Sequence, residues 1–163
     1  MTDDVVANLR SARIEDVLGT LWELSGFEGQ PDVAFVPSMI ALINHSDALI
    51  RERVAFVLWK YKRIEGVQEQ MVSWAEREND QTILGLLANN LVFTMREVPE
   101  FADRARRRLA LLALDSRRDP DLRLVCLNSI LGAASENYAK FDHHSDEAAL
   151  VKFTSTLTKI IGS

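Results

Sequence analysis

The sequence has very little of what covalent or metal chemistry needs. Among 163 residues it holds one cysteine, Cys126, and three histidines. A single cysteine excludes an internal disulfide, and no Cys/His spacing of the zinc-site kind is present. The sequence also lacks a glycine-rich phosphate loop, a Gly-x-Ser-x-Gly motif and a His-Glu-x-x-His motif. It therefore predicts no catalytic residue, no metal and no cofactor.

Long apolar runs are also scarce, and acidic side chains outnumber basic ones. No stretch approaches the ~20 apolar residues that span a bilayer. The first four residues, Met-Thr-Asp-Asp, lack the basic and apolar regions of a signal peptide. The net charge of −5 disfavours non-specific nucleic-acid binding, which needs a positive surface. We expect a cytoplasmic protein that binds neither membrane nor nucleic acid.

Sustained alternation of apolar and polar residues, the pattern of a half-buried strand, is missing as well. A helical period dominates instead, and the few glycines stand mostly at breaks between periodic segments. The sequence predicts an all-α chain. The expected helices cover about 4–11, 14–25, 32–44, 47–62, 66–78, 81–95, 100–116, 121–134 and 145–161.

What the sequence does contain is an aspartate that recurs at matching places. Asp47, Asp80 and Asp119 are 33 and 39 residues apart, and each lies between two apolar helical stretches. An aspartate before a helix accepts hydrogen bonds from the free N–H groups of the first turn. A helix–turn–helix unit repeated at this period is typical of a solenoid. The sequence therefore predicts a short right-handed α-solenoid of helical hairpins, with about eight or nine helices.

We expect these helices to form a single domain, since a chain of this length can bury a substantial core. Its parts are an N-terminal helical cap over 1–31, three repeats over 32–134 and a C-terminal capping helix over 145–162. Arginine follows two of the aspartates by four residues, as Arg51 and Arg123. We expect each arginine to pair with its own aspartate or to reach the neighbouring repeat. The middle unit has Leu84 at the equivalent position, so the Asp–Arg pattern is interrupted there.

Two segments resemble HEAT repeats. In the first, Phe35 to Ile43 with Pro37 precedes Asp47 to Ala55; in the second, Leu109 to Leu114 precedes Asp119 to Leu127. The resemblance covers about residues 32–134. In that family a proline often kinks the first helix of a repeat, while an Asp and an Arg mark the entrance to the second. The resemblance implies a HEAT-like solenoid whose second helices line a concave binding face.

Aligning the second helices on Ile50, Ile83 and Leu122 separates a buried side from an exposed side. The buried stripe of the first is expected to contain Ile50, Val54, Val57, Leu58 and Tyr61. The exposed side is predicted to form a strip that binds a partner, because aromatic anchors supply much of the energy at interfaces. The alternative is that the aromatic residues pack on the preceding repeat and the asparagines bond to neighbouring turns. The strip consists of Glu52, Phe56, Trp59, Asn89, Phe93 and Asn128.

An arginine-rich segment is the second candidate surface. It could bind phosphates or an acidic protein, and its alternative is a solvated helix face whose arginines pair with Asp103, Asp115 and Asp119. The arginines of this segment are Arg104, Arg106, Arg107, Arg108, Arg117 and Arg118.

Two remaining features have plain structural interpretations. His143 and His144 stand beside Asp142 and Asp146, but adjacent histidines point in different directions, so we expect a polar loop and a helix cap rather than a metal site. Cys126 falls on an apolar helix face and is expected in the core.

These features favour binding over catalysis. We expect a non-enzymatic module that grips one partner protein. The narrower hypothesis is an immunity or inhibitor protein that neutralises a basic toxin or enzyme, because the chain is small with a net charge of −5 and an acidic surface speeds association with a basic cleft. The alternative is a HEAT-like enzyme of the DNA alkyl-purine glycosylase or bilin lyase type, for which no matching site residues are found.

Overall fold

The computed structural model describes residues 2–29, 32–134 and 146–162. The described residues contain nine α-helices and no strand, and helices pack against neighbouring helices, so the all-α fold class is confirmed. None of these helices is long and apolar enough to cross a membrane. The helices are α1 Thr2–Leu9, α2 Ile14–Gly26, α3 Val36–Leu42, α4 Ala48–Leu58, α5 Val67–Arg77, α6 Gln81–Glu97, α7 Pro99–Leu114, α8 Pro120–Ala134 and α9 Asp146–Gly162.

The chain divides into two compact units, residues 1–70 and 71–163, with the boundary inside α5. In the N-terminal unit α2 packs on α1 and α4, and α3 packs on α4. In the C-terminal unit α6, α7 and α8 all pack on one another, and α9 packs mainly on α7. The expected histidine loop at His143 and His144 lies outside the described residues.

The buried stripe that the sequence predicts runs along α4 and the 3₁₀ turn Trp59–Tyr61 that follows it. Each of its five residues is almost fully shielded from solvent, since apolar positions three and four apart share one helix face. Cys126 is fully buried in α8, as expected, and burial raises the pKa of its thiol to about 12. The stripe consists of Ile50, Val54, Val57, Leu58 and Tyr61.

The three repeated aspartates begin helices, as predicted. Asp47 accepts hydrogen bonds from the backbone N–H groups of Leu49 and Ile50 at 2.8 and 3.3 Å. Asp80 caps α6 in the same way, accepting from Thr82 and Ile83 at 2.9 and 3.1 Å. Asp119 accepts from the backbone N–H of Asp121 at 2.8 Å.

The two following arginines bind backbone carbonyls that precede their own helix, in the turn after α3 for Arg51 and in the last turn of α7 for Arg123. Arg51 donates to the carbonyls of His45 and Ser46 at 2.9 and 3.2 Å. Arg123 donates to the carbonyl of Ala113, in the last turn of α7, at 3.1 Å. Helix ends leave carbonyls without partners, and a cation there also meets the negative end of the helix dipole. Aspartate and arginine thus close the two ends of one turn between helices.

The predicted helix over 32–44 is wrong in its detail. Its first turn is a 3₁₀ helix, Val33–Phe35, and the α-helix begins at Val36. Pro37 therefore stands in the first turn of α3, where a missing N–H costs nothing, and it does not kink the middle of a helix.

Candidate functional site

Trp22 is a large exposed aromatic side chain on α2. It is 51% exposed, whereas Val17, Leu21 and Leu24 form the buried side of the same helix. Ile14, eight residues earlier and therefore on a nearby face, is also exposed. Scattered exposed apolar residues are normal, but a tryptophan that is half in water on a well-formed helix is a candidate for recognition.

Arg53 of α4 stacks on Trp22. Its guanidinium carbon lies 3.5 Å from the centroid of the indole ring, close enough for a cation–π interaction. The Arg53 side chain is only 21% exposed, and its Nε is buried without a hydrogen-bond partner among the described residues. The Glu52 carboxylate lies 3.6 Å from an Arg53 terminal nitrogen. Arg53 thus covers one face of the indole and holds its orientation.

Phe56 lies between two side chains that reach α2, one from α4 and one from the 3₁₀ turn Trp59–Tyr61 that follows it. Arg53 precedes it by one turn, and Lys60 follows it by one turn. The Lys60 ammonium donates to the carbonyls of Leu24, Ser25 and Phe27 at 2.9, 2.8 and 2.7 Å, which closes the C-terminal end of α2. Phe56 is 48% exposed. We call Trp22, Arg53 and Phe56 the Trp22 surface.

The Trp22 surface has the composition of an interface hot spot. Tryptophan and arginine are enriched among the residues that dominate binding energy, and aromatic side chains pack on a partner with little loss of conformational entropy. The surface offers an apolar anchor beside a charged edge. It holds no nucleophile and no pair of titratable groups with opposed pKa shifts.

Half of the partner-binding strip predicted from the sequence belongs to the N-terminal unit. Phe56 is exposed, while Glu52 and Trp59 are half-buried. Trp59 begins a 3₁₀ turn after α4, and the Lys62 ammonium lies 3.6 Å from the centroid of its ring. The shared residue Phe56 therefore links the strip to the Trp22 surface.

The other half of that strip belongs to the C-terminal unit, on α6 and α8. Asn89 is exposed, but its amide donates back to the carbonyl of Gly85 at 3.1 Å, one of the alternatives raised by the sequence. Phe93 and Asn128 are half-buried. Asn89 and Asn128 lie one turn beyond a shallow depression of about 300 Å³. Its lining residues are Gln81, Thr82, Gly85, Asp119, Asp121, Leu122 and Val125.

The arginine-rich segment is largely engaged within the C-terminal unit. Arg104 binds both carboxylate oxygens of Glu76 at 3.1 and 2.7 Å, and Arg106 binds Asp103 at 2.6 Å. Arg108 donates to the carbonyls of Ala75 and Glu78 at 2.6 and 3.2 Å. Burial and the nearby charge of Arg118 lower the pKa of Arg108 from its ordinary value.

The remaining arginines of this segment differ in their surroundings. Arg117 binds Asp115 through two nitrogens, at 2.9 and 3.1 Å, and its hydrogen bonds lower the pKa of that carboxyl to about 2. Arg118 donates to the carbonyl of Asn79 at 3.1 Å. Arg107 is exposed and makes no ion pair within the described residues. Asp103 and Asp115 are paired as the sequence alternative proposed, while Asp119 serves as a helix cap.

Sequence reasoning missed Trp22 and Arg53. The repeat pattern aligns only the second helices of the repeats, and α2 lies in the predicted N-terminal cap. One signal was available: Trp22 is out of register with the apolar residues Val17, Leu21 and Leu24 of its own helix. The contact with Arg53 joins residues far apart in sequence, and no local pattern indicates it.

Comparison of this chain with models of protein families, with curated proteins and with solved structures found no match.

Proposed function

We propose that this protein is a non-enzymatic, cytoplasmic protein-binding module of the HEAT-like kind, which grips one partner protein through the Trp22 surface. The observation that carries the proposal is the exposed indole of Trp22, held at 3.5 Å by Arg53 beside exposed Phe56. Preorganised aromatic anchors lower the entropy lost on association, so they contribute most to affinity.

The favoured partner is a basic protein, and the narrower proposal is inhibition of a basic toxin or enzyme. Residues 1–34, which include all of α2, carry seven acidic and two basic side chains. Of the acidic ones, Glu15, Glu23 and Glu28 are exposed. An acidic surround raises the association rate with a basic partner and disfavours acidic competitors.

The test is a titration of the native partner against surface variants. The partner is first obtained by affinity capture with the wild-type protein and then purified. Trp22→Ala and Phe56→Ala are each expected to weaken binding by about tenfold or more, while melting temperatures stay close to wild type. Leu111→Ala is the matched control, because Leu111 is an exposed apolar residue in the C-terminal unit. Wild-type affinity in both surface variants would exclude this surface.

The same titration separates the Trp22 surface from the strip predicted from the sequence. Trp59→Ala and Asn128→Ala change strip residues that the Trp22 surface does not include. A larger loss of binding in these two variants than in Trp22→Ala would favour the strip. Loss only in Arg107→Ala would favour the arginine-rich segment.

The proposal also excludes an activity of the protein's own. The purified protein is expected to excise no alkylated base from duplex DNA and to attach no bilin. Base excision that disappears when one carboxylate is changed, or DNA or pigment retained in place of a protein partner, would favour the enzymatic alternative.

A further inference from the structure

Gly19 stands inside α2 without a structural reason in this chain. It lies in the middle of the helix Ile14–Gly26 and is exposed, and its φ is not positive. A Cβ atom added there would meet no atom within 4 Å. Glycine destabilises a helix interior relative to alanine, so neither backbone geometry nor internal packing accounts for it.

The charged side chains of α2 around Gly19 are all acidic, while Arg53 of α4 stacks on the indole of Trp22. The helix α2 carries Glu15, Asp16 and Glu23 and has no basic residue. Glu15 lies about one turn before Gly19, and Trp22 lies about one turn after it. The exposed side of α2 therefore has no side chain at Gly19, with the carboxylate of Glu15 one turn before it and the indole of Trp22 one turn after it.

We propose that a basic amphipathic helix of the partner protein crosses α2 at Gly19. This inference rests on the proposed function and adds the docking geometry and the chemistry of the partner. The distance between packed helices is set by the side chains at their crossing point, and glycine there permits the closest approach. The apolar face of the partner helix packs against Gly19 and Trp22. Its lysine or arginine side chains pair with Glu15 and Glu23.

Two peptides of opposite charge test the proposal with the full-length protein. Both have about 18 residues, long enough to form a helix on binding, and both carry leucine at the same helical positions. One has lysine at every polar position and the other has glutamate. Each carries a fluorescent label, and binding is followed by anisotropy at low salt and again at higher salt.

The lysine peptide is expected to bind at least about tenfold more tightly than the glutamate peptide, with a preference that shrinks as salt is added. Trp22→Ala is expected to weaken its binding by about tenfold. Equal binding of the two peptides would overturn the proposal.

Gly19→Ala is the sharper variant, since stability and binding should change in opposite directions. The melting temperature is expected to rise, because alanine favours the helix, while the lysine peptide binds several-fold more weakly because the helices can no longer approach. Gly132→Ala is the matched control: Gly132 lies inside α8, and a Cβ there also meets nothing within 4 Å. Gly132→Ala should leave peptide binding unchanged.

Three outcomes contradict the proposal. In the first, Gly19→Ala binds the lysine peptide as the wild type does; in the second, it lowers the melting temperature, which would give Gly19 an internal role. In the third, sedimentation shows a dimer that Trp22→Ala dissociates, which would make a second copy of this chain the occupant. If the native partner still requires Trp22 in the first two cases, the proposed function stands and only the docking geometry fails.

Discussion

Two turns in this molecule are closed in different ways, one in each unit. The turn before α4 uses its own arginine: Asp47 caps the helix start, and Arg51 binds the carbonyls of His45 and Ser46. The turn before α6 has Asp80 at the same place but Leu84 where the arginine would stand. Its carbonyls, at Ala75, Glu78 and Asn79, are bound by Arg108 and Arg118 instead.

The difference explains much of the arginine-rich segment. In the sequence, a run of arginines resembles a phosphate-binding surface. Two of these arginines, Arg108 and Arg118, instead bind the carbonyls of the turn before α6, where Leu84 stands in place of an arginine. Backbone carbonyls at a helix end need donors, and the chain supplies them from α7 and from the loop before α8. Positive charge at 108 and 118 is therefore tied to folding, which leaves Arg107 as the exposed member without an ion pair among the described residues.

The largest expected effect on stability comes from replacing Arg108, which binds the turn before α6 from a later part of the chain. Arg108→Met keeps the apolar stem and removes donors to two carbonyls, so the free energy of unfolding should fall by about 2–3 kcal/mol. Arg107→Met, on the exposed neighbour, should change it by less than about 0.5 kcal/mol. Urea denaturation measures both. Equal effects would show that Arg108 does not stabilise the α5–α6 turn.

The arginine inside its own turn should matter less. Arg51→Met removes donors to His45 and Ser46, but these carbonyls are closer to solvent and water can replace the donor. A loss of about 1–2 kcal/mol is expected in the same denaturation experiment. A larger loss than in Arg108→Met would reverse the comparison between the turns.

The aspartate caps should be equivalent in the two turns. Asp47→Ala and Asp80→Ala each remove an acceptor for two backbone N–H groups, and each should cost about 1 kcal/mol. Thermal melts of the two variants check this. The free energy lost in Asp47→Ala and in Asp80→Ala should differ by less than that lost in Arg51→Met and in Arg108→Met. The opposite result would mean that the arginines are not the main difference between the two turns.

Acid should weaken the α5–α6 turn slightly, through Asp115. The folded pKa of this carboxyl is lowered to about 2, mainly by the hydrogen bond from Arg117. Its contribution to the free energy of unfolding is therefore present above the ordinary pKa of 3.8 and is lost as pH falls through about 2. Arg118, 3.6 Å from Asp115, also binds Asn79. Asp115→Asn should remove this part of the pH dependence, measured by unfolding between pH 5 and pH 2. An unchanged pH profile would contradict the assignment.

The local features of the fold could be predicted from the sequence. Helical periodicity and helix caps depend on residues three or four apart, so the existence of the helices, the buried side of α4 and the three aspartate caps follow from local patterns, whereas α4 ends at Leu58 and not near 62. Pro37 shows where this ends, because its helix begins at Val36 and not at 32. The 3₁₀ turn before it is held by Asp32, which binds the N–H of Ala34.

The candidate site could be predicted only in part. Phe56 follows from the exposed side of α4, but Trp22 becomes relevant only through its contact with Arg53, 31 residues away in sequence. The partners of Arg108 and Arg118 are also distant. Such pairings depend on how helices pack, and a single sequence contains no local signal for them.

Arg108 and Arg118 bind the turn before α6 from later in the chain, and this sets the order in which the two turns can close during synthesis. The bond that closes the turn before α4 joins residues six apart, so it can form as soon as that turn leaves the ribosome. The bonds that close the turn before α6 join residues 30, 33 and 39 apart. Since a nascent chain emerges N-terminus first, the α5–α6 turn keeps exposed carbonyls until α7 and the following loop have been translated. A chain that stops before residue 108 should therefore hold this turn open and be cut there by proteases.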